Sequence, residues 1–136
     1  MNGNDLMDSI LLVDTDILID IGRNDETAVK RINNESRKYK LAISSITQME
    51  LIVGCRNKTE MKILDKFLEG FEKISLSFDI TNKAIELLKL YRLGHGLLIA
   101  DSFIAATAII LNSPLLSKNQ RDYKFIKELE LQKYPA

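Results

Sequence analysis

A short apolar run, Ile-Leu-Leu-Val at residues 10–13, stops abruptly at Asp14. An unbroken run of this kind is typical of a strand that is buried on both faces, as in a parallel sheet. Similar runs recur at residues 41–43, 74–76 and 115–116. Because parallel strands need crossover connections between them, this pattern predicts an α/β sandwich.

Apolar residues at helical spacing fill the intervals between these runs. The segment over residues 99–112 is apolar nearly all round, which indicates a helix buried inside the domain. A last helix over residues 123–129 leaves room for a fifth strand after it. The other predicted helices cover residues 17–21 closed by Gly22, residues 25–39, a segment capped by Ser45 or Thr47 that contains Glu50, residues 58–70, and a segment capped by Thr81 that ends near Gly94 and Gly96.

The length of 136 residues fits a single domain, and 46% hydrophobic residues are enough for a buried core. We expect residues 1–9 to form an N-terminal tail and residues 10–136 to form one domain. The 19 Lys and Arg residues balance the 19 Asp and Glu residues. Attraction of nucleic acid by net charge is therefore excluded, and any phosphate-binding surface must come from local sorting of charges.

Cys55 is the only cysteine, so no disulfide can form within the chain. We expect it to be a small core residue in a reducing compartment. The polar start of the sequence lacks the apolar segment of a signal peptide, and no stretch is long enough to span a membrane. These features predict a cytoplasmic protein without membrane contact.

Polar side chains follow the predicted strands. Asp14 comes directly after the first strand, and Asn119 and Asp122 follow the fourth. In open parallel sheets, ligands bind beyond the carboxyl ends of the strands, so these residues are placed where a site would lie. For Asp14 alone, an N-cap of the next helix is an equally simple interpretation.

Asp101 and Glu50 both occur in apolar surroundings in the sequence. A carboxylate near a buried helix is costly unless it is paired, hydrogen-bonded or bound to metal. The structural alternatives are a carboxylate stabilised by the helix dipole for Asp101 and a surface residue of an amphipathic helix for Glu50.

Taken together, these carboxylates predict a site for a hard cation. Mg²⁺ or Mn²⁺ takes oxygen ligands and is often held by a few carboxylates together with water and substrate phosphate. The chain has one His and one Cys, so a zinc site is not expected. A carboxylate cluster of this kind is suited to metal-assisted phosphodiester hydrolysis, in which the metal activates a water molecule.

Four segments resemble the PIN-domain family and, within it, the VapC-type toxins of prokaryotic toxin–antitoxin pairs. The family more often has Asn where this chain has Asp16. The segments are Leu-Val-Asp-Thr-Asp-Ile-Leu-Ile at 12–19, Ser-Ser-Ile-Thr-Gln-Met-Glu-Leu at 44–51 with Gly54 after it, His95-Gly96 leading to Ile-Ala-Asp at 99–101 and Ala-Ala-Thr-Ala at 105–108, and Leu-Ser-Lys-Asn-Gln-Arg-Asp-Tyr at 116–123.

The resemblance implies a three-layer sandwich with a central, mostly parallel sheet of four or five strands. It also implies a Mg²⁺- or Mn²⁺-dependent endoribonuclease that is the toxin of a VapBC-like type II pair, forms homodimers and is blocked by an antitoxin. Asp14, Glu50 and Asp101 would be catalytic and metal-binding. Asn119 or Asp122 would complete the metal site, with Asp122 as the last catalytic carboxylate, and Thr15 and Ser117 would flank the cluster.

A local basic rim favours contact with RNA. Lys118 and Arg121 lie in the fourth segment and Lys124 follows it, while Arg92 and His95 precede Asp101. We expect such side chains, together with the polar groups of Thr15, Ser117 and Asn119, to contact RNA near the cleaved bond. His95 is not expected to be the general base, because the carboxylates and metal do that work in the family.

Two alternatives remain open from the sequence. The order Asp14-Thr15-Asp16 resembles the start of haloacid-dehalogenase-type phosphatases, although Leu18 departs from their pattern. A PIN fold can also persist as an RNA- or protein-binding module without activity, and the Asn at 119 leaves that interpretation open.

Overall fold

The computed structural model describes residues 9–135, and these residues alternate between strands and helices. The strands are β1 (Ile10–Val13), β2 (Lys40–Ser44), β3 (Glu72–Ile74) and β4 (Leu115–Leu116). The helices are α1 (Thr15–Gly22), α2 (Glu26–Glu35), α3 (Ser45–Val53), α4 (Lys58–Leu68), α5 (Phe78–His95), α6 (Ile99–Ile110) and α7 (Gln120–Tyr123).

All strand pairs of the four-stranded sheet are parallel, and the order is β3-β2-β1-β4. The α/β class and the parallel sheet predicted from the sequence are confirmed. The fifth strand is reduced to a single bridge between Leu115 and Leu131. Because β1 lies between β2 and β4, the residue that follows β1 reaches the middle of the sheet's carboxyl edge.

Alternate residues of the strands point to opposite faces, and each face is covered by its own helices. One core cluster contains Leu12 and Ala42 with residues of α5 and α6. The other contains Leu11 and Ile43 with residues of α1 and α4. The fold is therefore a three-layer sandwich with the sheet in the middle.

Helix α6 runs through the centre of the larger cluster, as its apolar sequence predicts, and six of its twelve residues are buried. It leads into β4, whose carboxyl end carries the predicted site residues. The amino end of α6 therefore lies at the carboxyl edge of the sheet. Gly96 connects α5 to α6 with a φ of 73°, a left-handed conformation that favours glycine.

Several boundaries differ from the sequence prediction because hydrogen-bonding side chains set them. Helix α5 begins at Phe78, four residues earlier than the predicted Thr81 cap allows, because the Ser77 side chain accepts from the backbone N–H of Ile80 at 3.1 Å. Helix α3 is capped by Ser44, and neither Ser45 nor Thr47 is the cap. Strand β3 ends at Ile74 and does not reach residue 76.

The segment after β4 is the least regular part of the described chain. The predicted helix over 123–129 is wrong: α7 covers only Gln120–Tyr123, and turns follow it. Residues 130–135, the C-terminal segment, then run beside β4, where Gln132 N donates to Leu115 O at 2.9 Å. Arg31 of α2 holds this segment by donating from Nη1 to the carbonyl oxygens of Lys133 at 2.8 Å and Pro135 at 3.0 Å.

Three further expectations concern the margins of the domain. Cys55 is half-buried and its Sγ lies 3.5 Å from Leu51 O, so it is not the core residue that we expected. Of the expected tail, residues 1–8 lie outside the described residues, and Ser9 O accepts from Lys40 N at 2.8 Å. No helix within residues 9–135 has both the length and the apolar character that crossing a membrane requires.

Candidate active site

Asp14 lies at the carboxyl end of β1 and caps α1. Its Oδ1 accepts from the backbone N–H of Thr15 at 2.8 Å, and its Oδ2 accepts from the Ser117 hydroxyl at 2.8 Å. The side chain is nearly inaccessible, with 5% exposure. Burial, reinforced by the charge of Asp16, raises the pKa of Asp14 to about 7. Asp14 is therefore both a helix cap and a costly buried carboxylate.

Asp101 lies in the first turn of α6, close to other carboxylates. Burial raises its pKa, and the negative charges of Asp122, Glu50 and Asp16 raise it further. The cap of α6 is Leu98, and no side chain bonds the free N–H groups there. The helix dipole favours a carboxylate at this position, but the surrounding negative charge opposes it.

Glu50 reaches the site from α3 through hydroxyl groups. Thr15 Oγ1 lies 2.6 Å from Glu50 Oε1 and 3.0 Å from Thr47 Oγ1. Because a hydroxyl has one proton, Thr15 donates to the carboxylate and accepts from Thr47. Glu50 is exposed, so the apolar residues around it in the sequence do not bury it. Its orientation comes from Thr15, which follows Asp14 directly.

Asp16 organises the loop after β4, a role that the sequence analysis missed. Its Oδ2 accepts from the backbone N–H groups of Lys118 at 3.1 Å and Asn119 at 3.0 Å. Its Oδ1 is buried and has no hydrogen-bond partner among the described residues. Burial raises the pKa of Asp16 in spite of these bonds. The only signal in the sequence was its position two residues after Asp14, in the first turn of α1.

Tyr123 is the second residue that the sequence analysis did not single out. Its hydroxyl donates to Asp101 Oδ1 at 3.1 Å, and it also lowers the pKa of Asp14 through a hydrogen bond. The side chain is 1% exposed. Burial, and then the charges of Asp14 and Asp101, raise its own pKa, so it remains a neutral donor. The signal available in the sequence was that Tyr123 directly follows Asp122 in the fourth segment.

The remaining predicted residues lie at the rim. Asp122 is exposed and influences Asp101 by its charge. Asn119 is the N-cap residue of α7, but its side chain makes no capping bond. The Lys118 ammonium pairs with Asp20 Oδ2 at 3.0 Å, and this bond raises the pKa of Lys118. Arg121 is exposed. The structure thus gathers Asp14, Glu50 and Asp101 with the Ser117 loop, while the cationic side chains face outward.

Arg92 and His95 have local partners at the end of α5. Arg92 Nη1 donates to the carbonyl oxygens of Gly96 at 3.0 Å and Leu97 at 3.2 Å, which closes the turn towards α6. The His95 ring stacks on Phe125 with 4.2 Å between centroids. The guanidinium of Arg92 therefore stabilises the turn between α5 and α6.

The donor set suits a hard cation that keeps part of its water shell. Among residues 9–135, no three Asp, Glu, His or Cys side chains are arranged as a ligand cage that could hold a metal ion. Mg²⁺ does not require such a cage, since one or two carboxylates with water and phosphate are enough. The unpartnered Oδ1 of Asp16 and the raised pKa of Asp14 are the features that a nearby cation would relieve.

Comparisons with known proteins agree with this geometry. Residues 11–128 match the PIN domain family. The chain is 36% identical to Ribonuclease VapC1 of Methanocaldococcus jannaschii over 131 residues, which cover 93% of this chain and 88% of that protein. The match is thus to the PIN family and not to haloacid-dehalogenase-type phosphatases.

Solved structures give the same result. VapBC2 from Rickettsia felis, bound to a DNA fragment from the promoter, matches with a TM-score of 0.77 and 29% identity, over 90% of this chain and 97% of that one. A toxin–antitoxin complex from Klebsiella pneumoniae matches with a TM-score of 0.76 and 29% identity, over 93% and 98% of the two chains. The fold, the site residues at the sheet edge and these similarities lead to one conclusion: the chain belongs to the PIN-domain family, among relatives of the VapC ribonucleases.

Proposed function

We propose that this protein is a metal-dependent endoribonuclease and the toxin of a VapBC-like toxin–antitoxin pair. The observation that carries the proposal is the convergence of Asp14 and Asp101 on the Tyr123 hydroxyl, with the charges of Glu50 and Asp122 close enough to act on Asp101. Such mutual repulsion destabilises the metal-free protein. A carboxylate cluster of this kind is therefore better explained by a functional site than by a contribution to stability. The similarity to ribonucleases of the VapC group supports the same reaction class.

In this proposal, Asp14 and Asp101 would hold Mg²⁺ or Mn²⁺, and Glu50, Asn119 and Asp122 would contribute to the same site. When bound, the ion supplies a water of lowered pKa and neutralises charge on the phosphate. The chain supplies orientation: Ser117 fixes Asp14, and the Thr15 hydroxyl fixes Glu50. A carboxylate of this set accepts the proton of the attacking water.

Side chains at the rim would bind the RNA backbone on either side of the cleaved bond. Lys118 and Arg121 are exposed cations beside the carboxylates, and Asn119 and Thr15 offer polar groups. The Lys118 ammonium would contact a phosphate with its remaining protons while keeping its bond to Asp20, because Asp20 is buried and would otherwise lose its cation. The protein's zero net charge means that these local contacts provide the attraction.

The proposed protein partner is an antitoxin, as in the toxin–antitoxin complexes that the chain resembles. Helix α3, which carries Glu50, and helix α4 both expose apolar side chains, and exposed apolar side chains of this kind are candidates for cover by a partner protein. These side chains are Met49, Ile52, Val53, Met61, Ile63 and Phe67, of which Val53 is 84% exposed. An antitoxin seated there would cover the approach to Glu50 and block the site.

We further propose a homodimer and a cytoplasmic location. Leu90 and Leu93 are exposed on one face of α5, and Leu93 is fully accessible. A second copy of the chain could cover this face. Light scattering during size-exclusion chromatography measures the oligomeric state, and a monomer at all concentrations would rule out the homodimer.

The test of the activity uses purified protein, freed of partner and incubated with labelled total RNA. We expect discrete products in Mg²⁺ or Mn²⁺, none in EDTA and none from Asp14→Asn. Asp65→Asn, an exposed aspartate on α4, is the matched control and should cleave like the wild type. Equal cutting by the wild type and Asp14→Asn would refute the proposed site. A wild type that binds RNA and metal without cutting would instead favour an inactive PIN module.

A further inference from the structure

Three aromatic side chains form a stack at the end of α5. The rings of His95 and Phe125 are parallel to within 2°, with centroids 4.2 Å apart. Tyr91 is tilted against both, at 6.1 Å from His95 and 5.3 Å from Phe125. Tyr91 and Phe125 are half-buried against the larger core cluster, so the stack rests on a fixed base.

The outer member of this stack remains accessible. His95 is exposed, and one face of its ring is covered by Phe125. The exposed part is therefore its opposite face and its edges. Its position is also fixed, because Arg92 ties the following turn through Gly96 O and Leu97 O. His95 thus offers a flat ring to solvent with little freedom left to lose.

The stack lies at the catalytic edge of the sheet. Three residues, 96–98, separate α5 from α6, and Asp101 is in the first turn of α6. On the other side, Phe125 follows Asp122 and Tyr123 within one turn of chain. The two stacked rings therefore belong to segments that directly adjoin the helices carrying Asp101 and Asp122.

The stack is distinct from the apolar face of α5. Tyr91 and His95 are four residues apart and share one side of the helix, while Leu93 is two residues from either and points away from them. A second copy of the chain on the Leu93 face would therefore leave the His95 ring accessible.

We propose that the open face of His95 is a stacking site for a nucleobase of the RNA substrate, next to the nucleotide whose phosphodiester bond is cleaved. A base placed there would continue the order Phe125, His95, base. Stacking on aromatic rings is tolerant of sequence and is a general means of holding single-stranded RNA. The inference rests on the proposed function, and it gives His95 a role in binding where the sequence suggested contact with phosphate.

The experiment measures binding without cleavage. The probes are short single-stranded adenosine and uridine oligonucleotides and an abasic ribose-phosphate oligonucleotide of the same length, followed by fluorescence anisotropy in EDTA. We expect His95→Ala to weaken binding of the base-containing probes by roughly tenfold. His95→Phe should retain wild-type affinity because it keeps the ring, and the abasic probe should bind equally to all three proteins.

Phe78→Ala is the matched control, because Phe78 is a highly exposed aromatic residue at the opposite end of α5. Its affinity for RNA should equal that of the wild type. In Mg²⁺, His95→Ala should raise KM for RNA with kcat nearly unchanged, and His95→Phe should restore KM.

Three results would overturn the inference. Equal weakening of abasic and base-containing probes by His95→Ala would mean a phosphate contact. Failure of His95→Phe to restore binding or cleavage would mean that the imidazole acts chemically. A wild type that binds none of the probes would remove the site altogether. A wild type that shows the stacking pattern but never cleaves RNA in metal would refute the nuclease and leave the stacking site intact.

Discussion

The Tyr123 hydroxyl donates to Asp101 Oδ1 at 3.1 Å and joins the short helix α7 to the buried helix α6. It is the one hydrogen bond to the Asp101 side chain found in residues 9–135, whereas Asp14 accepts two further bonds from Thr15 and Ser117. The orientation of Asp101 therefore depends on a single phenolic proton. The orientation of Asp14 does not depend on one bond, because Thr15 and Ser117 both donate to it.

Tyr123→Phe should weaken metal binding by about tenfold or more, because partners that orient ligand side chains typically contribute that much. Direct titration with Mn²⁺, followed by the electron paramagnetic resonance signal of the free ion, measures this without RNA. Tyr91→Phe serves as the control, since its ring packs in the same region. If the two variants bind Mn²⁺ with the same affinity as the wild type, Tyr123 has no positioning role.

The metal-free protein should lose stability as the pH rises from about 4 to about 7. The pKa of Asp14 is raised from 3.8 to about 7 in the folded chain, so the folded state holds a proton that the unfolded state releases. The free energy of unfolding then falls by at most about 1.4 kcal/mol per pH unit in that window. Thermal melts in EDTA of the wild type and Asp14→Asn give the difference, and a pH-independent difference would contradict the buried carboxylate.

Asp101→Asn should abolish cleavage and slightly raise the stability of the metal-free protein. The substitution removes the repulsion from Asp122 and Glu50 but keeps an oxygen that can accept from Tyr123. After solvent screening, the gain is roughly 0.5 kcal/mol. Melts in EDTA measure it. A loss of stability would instead show that Asp101 serves α6 as a helix-terminal carboxylate.

In EDTA, Asp16→Asn should raise the free energy of unfolding, whereas Asp16→Ala should lower it. The Asn variant keeps an oxygen for the N–H groups of Lys118 and Asn119 and removes a charge that acts on Asp14. The Ala variant loses Oδ2, the acceptor of both bonds, and should cost about 1 kcal/mol. Urea denaturation of both variants measures these changes. Equal stability of the two would mean that Asp16 does not hold the Ser117 loop.

Arg31→Leu should destabilise the domain by about 3 kcal/mol, because it leaves the buried Glu35 without its cation and frees the C-terminal segment. The double variant Arg31→Leu/Glu35→Leu should recover part of the loss, since no unpaired charge remains. Urea denaturation of both compares them. If the double variant is no more stable than the single one, the ion pair is not the cause.

The regular part of the fold could be predicted from the sequence because its signals are local. The apolar runs at β1 and β2 and the continuous apolar surface of α6 each determine an element without reference to the rest of the chain. The errors occur where distant groups decide the structure. Residues 124–129 do not extend α7, since the chain turns there to bring residues 130–135 beside β4.

The candidate site residues show the same division. Asp14 and Asp101 were recognisable because a carboxylate next to apolar sequence needs an explanation. Asp16 and Tyr123 were missed because their roles exist only in three dimensions. The bond of Asp16 to the Lys118 N–H spans 102 positions, and the bond of Tyr123 to Asp101 spans 22. Neither relation leaves a periodic pattern in the sequence.

The central position of β1 has a consequence for synthesis of the chain. Strand β1 is made early, yet it pairs with β4, which is held in turn by Gln132 beside Leu115. The Gln120 amide also donates to both Ser117 O and Gln132 O, which links the site loop to the C-terminal segment. Nearly the whole described chain must therefore leave the ribosome before the carboxylates can assemble, so a nascent or shortened chain without residues 130–135 would lack the assembled candidate site.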